Sequence, residues 1–421
     1  MSRQWFQLDT AALIFPAVMR RNWSNAFRFA AVLQEEVDVP TLQQAVNDLK
    51  PRFPSLYVRL RTGMFWYALE ETAQAPTVRR EFAYPLTHMG RKELRHCCLR
   101  IYAYRNRLAV EFFHSLTDGT GGSVYLRSLL ARYLFLRHGV TAQAPYLLTP
   151  EQTPTKDELE DSFWRNAAPY AMSRAEPNAY RLRGTRESDG FLHLVTGLMP
   201  AERLLAVAHD YHCTVTVFLA AVMAECILQM QEEKEPMRRR KPIKITIPIN
   251  LRRLYASKTL RNFALTLNPG VDPRNGSFTL QELCQIIGHQ LAAEAIPQNM
   301  AARIAANVIP QRVLPLRLAP LFLKNMVMGA VYASSGECKG CLNISNLGVL
   351  ELPEALMGYV QRLEFIIGVQ RSYPNNCAVT TYRGQTCVEM IRNIRESELE
   401  RRFFSRLVEL GIPVEIESNE R

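Results

Sequence analysis

His114 ends the run Val110-Glu111-Phe112-Phe113-His114 and is followed by Ser115-Leu116-Thr117-Asp118-Gly119. In a strand, side chains alternate between faces, so Val110, Phe112 and His114 share one side and line a mostly apolar space. An imidazole at the point where a strand ends is held rigidly yet open to a cleft, which suits a general base. Asp118, one short turn further on, is placed to fix the loop through an arginine, and Gly119 leaves room for a ligand chain beside the backbone. The same residues also suit a packed strand-end histidine followed by a turn-forming Asp-Gly, and the motif alone leaves both readings open.

Other chemistries fare worse. Gly119-Thr120-Gly121-Gly122 after a strand suggests a phosphate-cradling turn, but Val124 spoils the G-x-G-x-x-G spacing. No Asp or Glu follows until Glu151, so the ribose-binding acid of a dinucleotide fold is missing. There is no Gly-Lys-Ser/Thr and no G-x-S-x-G elbow. Cys338-Lys339-Gly340-Cys341 has half the spacing of a zinc site without a second pair, so no metal is expected.

The elements that must position His114 are mixed. Cys98–Tyr104 and Leu108–His114 read as strands joined by a tight turn at Arg105–Asn106. Gly119–Gly122 breaks the pattern, and Ser123–Arg137 reads as the following helix. Ala26–Leu33 and Met64–Leu69 are further strands, and Val39–Leu49 has helical spacing. Prolines at 145, 150, 154, 169 and 177 interrupt the stretch from Gly139 to Gly190. That stretch reads as the connection between an N-terminal lobe, residues 1–185, and a C-terminal lobe, residues 186–421; a long excursion packed on one domain would look similar. Beyond it come strand Phe191–Leu198, a helix opening at Pro200, an all-round apolar and therefore buried helix Thr214–Met230, and strand Ile243–Ile249. Strands at Gln361–Gly368, Ala378–Tyr382 and Thr386–Ile391 and a helix over Arg395–Leu410 complete the chain.

The 421 residues are 48% hydrophobic and 22% charged, which excludes disorder and collagen-like repeats. Apolar stretches such as Ala11–Met19 and Leu321–Tyr332 fall short of the ~18 residues of a spanning helix, and the first residues do not read as an export signal. Nine scattered cysteines read as reduced thiols, and a cytoplasmic location is expected. The net charge of +11 fits nucleic acid, an anionic membrane or a phosphate-bearing substrate. No nucleic-acid reader motif accompanies it, so no nucleic-acid partner is expected.

Phe113-His114-Ser115-Leu116-Thr117-Asp118-Gly119 resembles the active-site motif of the CoA-dependent acyltransferase superfamily, which includes chloramphenicol acetyltransferase and condensation domains. Three further segments resemble it in the same order: Trp5…Leu8-Asp9-Thr10-Ala11-Ala12…Phe15-Pro16, then Pro248-Ile249-Asn250-Leu251-Arg252 with Arg261-Asn262-Phe263, then Ile344-Ser345-Asn346-Leu347-Gly348. The likeness is greatest to bacterial alcohol-acetyltransferase-like members. Two positions depart from the pattern: Phe113 stands where many members have a first histidine, and Arg261 replaces a glycine. The resemblance implies an α/β fold of mixed sheets, with two similar lobes and the active site in a channel between them. It implies His114 as general base, Asp118 and Gly119 as structural residues, and an arginine partner for Asp118, for which Arg252 is the candidate with Arg253 adjacent to it. Ser345 and Asn346 are the candidate donors to an oxyanion, and residues of these types equally serve turn and strand-end hydrogen bonding. Acyl-CoA would be a co-substrate, no cofactor would be bound permanently, and the acceptor would be a small alcohol or amine. A carrier-protein donor, as in condensation enzymes, and a catalytically silent binding module are the alternatives the same fold allows.

Basic residues Arg127, Arg132 and Arg137 on the expected helix, and Arg238-Arg239-Arg240-Lys241, are candidates for the CoA phosphates or simply solvated faces. Residues 295–336 contain no acid but have Arg303, Arg312, Arg317 and Lys324 among aliphatic side chains. That composition suits weak contact with an anionic membrane, or helices packed between the lobes with their basic ends in water.

Overall fold

The motif strand, Arg107–Phe113, occupies the middle of a five-stranded sheet in the order Val360–Ile367, Ala26–Leu33, Arg107–Phe113, Leu99–Tyr104, Val78–Arg80. It is buried almost end to end, so its neighbours on both sides hold the residue that follows it. These features come from a computed structural model that describes residues 3–19, 25–173, 175–370 and 373–420. The turn before the motif strand places Arg105 at φ 50°, the twist that a tight hairpin requires.

The edge of this sheet is supplied by the far half of the chain. Strand Val360–Ile367 runs antiparallel to Ala26–Leu33, with Phe365 opposite Phe29 and Ile367 opposite Phe27. An eight-stranded sheet forms the centre of the second lobe. In it, Leu342–Val349 lies parallel both to Ile243–Asn250 and to Asn375–Tyr382. A three-stranded sheet of Trp5–Gln7, Tyr67–Glu71 and Val58–Thr62 completes the mixed α/β architecture. Each large sheet carries its own hydrophobic core, the first built around Phe27, Phe29, Phe112 and Tyr125, the second around Phe218, Ile245 and Phe403.

Helix Val215–Lys234 is long and apolar enough to cross a membrane by composition, but most of its apolar window is buried against the second sheet and helices Leu280–Glu294 and Glu398–Glu409. Thr214 caps it, accepting a hydrogen bond from the Val217 N–H.

The helix after the motif begins earlier than its periodicity suggests. It spans Gly119–His138, so the glycines do not break it; they form its first turn. Close packing requires this: a Cβ at Gly121 would overlap the Leu260 carbonyl, and one at Gly122 would come within 2.9 Å of Phe27 and Phe29. Gly139, at φ 71°, ends the helix in the left-handed conformation.

Candidate active site

His114 lies one residue beyond the motif strand, with its backbone N–H bonded to the Asn25 carbonyl at 2.7 Å. Its ring stacks on Phe15 with centroids 4.4 Å apart and meets the Phe27 ring edge-on at 5.0 Å. One face of the imidazole is thereby held by aromatic walls, and the ring borders a cavity of about 1270 Å³ between the lobes. Both lobes contribute to that cavity: Phe15 and Gly119 on one side, Asn250, Asn262 and Ser345 on the other.

The tautomer of His114 follows from its neighbours. Asn262 Nδ2 donates to Asp9 Oδ2 at 3.1 Å and to the His114 carbonyl at 3.0 Å. Both are acceptors, so the amide cannot be turned around. Its Oδ1 therefore faces His114 Nδ1 at 3.1 Å and accepts the proton there. Neutral His114 carries its hydrogen on Nδ1, and Nε2 keeps the lone pair that a base needs. Burial lowers the His114 pKa below its ordinary 6.5, opposed by backbone carbonyls, the Asp118 charge and the Asn262 hydrogen bond. The ring is thus neutral near neutral pH.

Asp9, the far end of this chain of hydrogen bonds, is fully buried. Its Oδ1 accepts from the Ala12 N–H at 2.7 Å, and Arg261 Nε stands 3.7 Å from Oδ2. Burial pushes the Asp9 carboxyl up to about 6, against the pull of Arg261. Arg261 is accommodated where the resembling sequences have glycine because its guanidinium reaches both Asp9 and the Gln7 carbonyl.

Asp118 has a different environment. Oδ1 accepts from the N–H groups of Thr120 and Gly121, capping the helix. Oδ2 accepts from Arg252 Nη1 at 2.7 Å and from the Phe263 N–H at 2.8 Å. Four donors saturate the carboxylate, leaving no lone pair directed at a substrate. Arg252 is held in turn by the carbonyls of Thr259 and Arg261, whereas its neighbour Arg253 is exposed at the cavity. Asn250 Nδ2 also donates to Thr120 Oγ1 at 3.1 Å, so the helix start is tied twice to the second lobe.

Gly119 borders the cavity where a Cβ would press on Leu347, at 2.8 Å. Ser345 and Asn346 both line the cavity, but they differ. Asn346 Nδ2 donates to Thr216 Oγ1 at 3.0 Å and its Oδ1 accepts from the Gly348 N–H at 2.8 Å, so its side chain shapes the strand end. The Ser345 hydroxyl has no hydrogen-bond partner among the described residues and faces the same space as His114.

The basic clusters lie elsewhere. Arg127 is buried over the Tyr146 ring, Arg132 pairs with Asp48, and Arg240 pairs with Glu232. None of them lines the cavity: helix Gly119–His138 turns its N-terminus and not its cationic flank to it, and Arg240 follows the short turn Met237–Arg239, outside the lining.

No family model matches this chain, and no curated protein matches it in sequence. Solved structures do match over nearly its whole length. A trichothecene 15-O-acetyltransferase from Fusarium sporotrichioides aligns with 97% of this chain and 94% of its own, at a TM-score of 0.63 and 11% identity. TRI101 of F. graminearum, solved with coenzyme A and T-2 mycotoxin, aligns with 98% of this chain and 99% of its own, at 0.65 and 10% identity. The starter condensation domain of rhizomide synthetase, solved with C8-CoA and Leu-SNAC, aligns with 97% and 94%, at 0.60 and 14% identity.

This is the fold of the CoA-dependent acyltransferases and condensation domains.

The site therefore sits at the junction of the two lobes of that acyltransferase fold. Asp9 and Asn262, the residues that orient His114, have no signature of their own in the sequence. Asn262 is 148 positions from His114 and Asp9 is 253 from Asn262. The available signal was that both fall in segments resembling the superfamily, far apart along the chain.

Proposed function

We propose that this protein transfers an acyl group from a CoA thioester to the hydroxyl, or amine, of an acceptor, with His114 as general base. The observation that carries the reading is the Asp9–Asn262–His114 chain of hydrogen bonds, which fixes Nε2 as the basic nitrogen beside a cavity built from both lobes. In the forward step Nε2 takes the acceptor's proton as its oxygen forms a bond to the thioester carbonyl carbon. The carbonyl oxygen becomes the oxyanion, and Ser345, with its hydroxyl uncommitted, is its donor. Collapse breaks the carbon–sulfur bond, and the departing thiolate recovers the proton from the imidazolium, giving ester and free CoA. Asp118 and Arg252 hold the loop and do not touch the reacting atoms. The large cavity, above the ~300–1,000 Å³ of an ordinary small-ligand pocket, has room for donor and acceptor together.

The reading is tested by mass spectrometry of intact products. Acetyl-CoA and longer acyl-CoAs are offered with a panel of alcohols and amines to wild type and to His114→Ala. Wild type is expected to form product, and the variant to lose ~100- to 10,000-fold in rate with an unchanged melting temperature. Equal activity in the variant would remove His114 from the mechanism. Transfer only from a carrier-protein thioester would replace CoA as the donor.

A further inference from the structure

Helices Pro297–Arg312, Leu314–Leu318 and Leu321–Ser335 form one wall of the cavity, and they are also outer surface. Of the 24 exposed large apolar side chains among the described residues, ten lie between Ile296 and Val331. Leu314, Leu318, Phe322 and Met326 are each 61–69% exposed. All seven residues of the run 312–318 are exposed. A contiguous apolar patch of this kind is costly in water and marks a contact surface.

The patch is continuous with the site. Leu316, Leu323, Val327 and Val331 are exposed and also line the cavity, so the cavity opens through this face. Trp66, on the adjoining loop, is likewise both exposed and cavity-lining, with the Lys324 ammonium 3.6 Å from its ring.

Charge selects the occupant. Residues 295–336 hold no Asp or Glu. Arg312 and Arg317 are exposed without a carboxylate partner among the described residues, Arg312 lying 5.5 Å from the Trp164 ring. Two-fold contact with a second copy would set arginine-bearing apolar face on arginine-bearing apolar face with no acid to pair. Lipid phosphates complement it: apolar side chains enter the acyl boundary while cations on flexible stems reach the headgroups.

We propose that this face docks on an anionic lipid surface and that an apolar substrate, the acyl chain or a long-chain alcohol, passes from lipid into the cavity through it. The substrate class rests on the acyl-transfer reading; the docking does not. The full chain is floated with phosphatidylcholine vesicles, with and without phosphatidylglycerol, at low and high salt. Wild type is compared with Leu314→Ser/Leu318→Ser/Phe322→Ser and with Arg312→Glu, exposed positions that do not line the cavity. Each preparation is also assayed for acylation of a short soluble alcohol and of a long-chain alcohol carried in the vesicles.

Wild type is expected to float with the anionic vesicles in a salt-sensitive manner. The triple variant should lose about tenfold or more of that binding, and Arg312→Glu should lose several-fold. The triple variant should also lose acylation of the vesicle-borne alcohol while keeping that of the soluble one, with an unchanged melting temperature. Absence of wild-type flotation at low salt overturns the docking, as does equal flotation by the triple variant. A wild-type dimer that the triple substitution dissolves, without flotation, assigns the face to a second copy and also overturns it. Flotation without acylation of either alcohol overturns the acyl-transfer reading and leaves the docking face standing.

Discussion

Asp118 and Asp9 are both buried carboxylates at one site, and each is met by residues from the far half of the chain, yet they are built differently. Asp118 touches a guanidinium and three backbone N–H groups, two of them at the positive end of a twenty-residue helix. Asp9 touches an amide and backbone N–H groups, and its nearest cation, Arg261, stands 3.7 Å away. The first carboxylate is fully compensated and serves as a latch between the lobes. The second is left short of positive charge and meets His114 only through the Asn262 amide, whose orientation it sets. Compensation of charge separates holding from tuning.

Breaking the latch gives the largest effect. Asp118→Ala strands the Arg252 guanidinium in a buried pocket and unpins the helix start. Urea unfolding should show a loss of about 3–5 kcal/mol, as for other buried pairs with one partner removed. A loss below ~1 kcal/mol would mean that the other contacts of Arg252 suffice and that the latch is not ionic. Asn262→Ala leaves the buried Asp9 carboxylate and the His114 carbonyl without their amide donor, which should cost about 1–3 kcal/mol, and should lower kcat by up to ~100-fold, because the imidazole is free to turn and change tautomer. An unchanged KM for the acyl donor would mark this as positioning rather than binding.

The pH profile sharpens the same contrast. A base whose pKa is lowered by burial is already deprotonated at neutral pH, so kcat should stay flat there and fall only below the ordinary histidine value of 6.5. A profile rising through pH 7 would contradict the geometry around His114. The smallest effect is expected from Asp9→Asn, which keeps one acceptor for Asn262 and should cost only a few-fold in kcat. Its signature is in stability. The Asp9 carboxyl rises from 3.8 to about 6 on folding, so its contribution is present at low pH and is lost as pH rises through that window. An asparagine does not titrate. The stability of the variant relative to wild type should therefore increase between pH 4 and 7, measured by urea unfolding at both. A decrease would show that Arg261 compensates Asp9 after all.

Local order was legible in the residues. Alternation along Val110–His114 predicts the buried strand, and the all-round apolar run after Thr214 predicts a core helix, whose observed span is Val215–Lys234. Periodicity failed at Gly119–Gly122, where glycine reads as a breaker but is demanded by the close approach of Phe27, Phe29 and the Leu260 carbonyl. Nothing in Val360–Ile367 announces that it pairs with Ala26–Leu33 across more than three hundred residues, because hydrogen-bond register is a property of two strands, not one.

By itself the sequence determined the types and the local placement: a histidine at a strand end, an aspartate at a helix N-terminus, glycine where no Cβ fits. These depend on period and on neighbours within a few residues. Only the tertiary structure decided that Arg252 closes on Asp118, that Asn262 chooses the nitrogen on which His114 keeps its lone pair, and that Asn346 is spent on Thr216 while Ser345 stays open. Those are contacts between segments more than a hundred residues apart; the first two exist only once two lobes with separate cores have met, and the third forms within the second lobe, between its buried helix and its sheet.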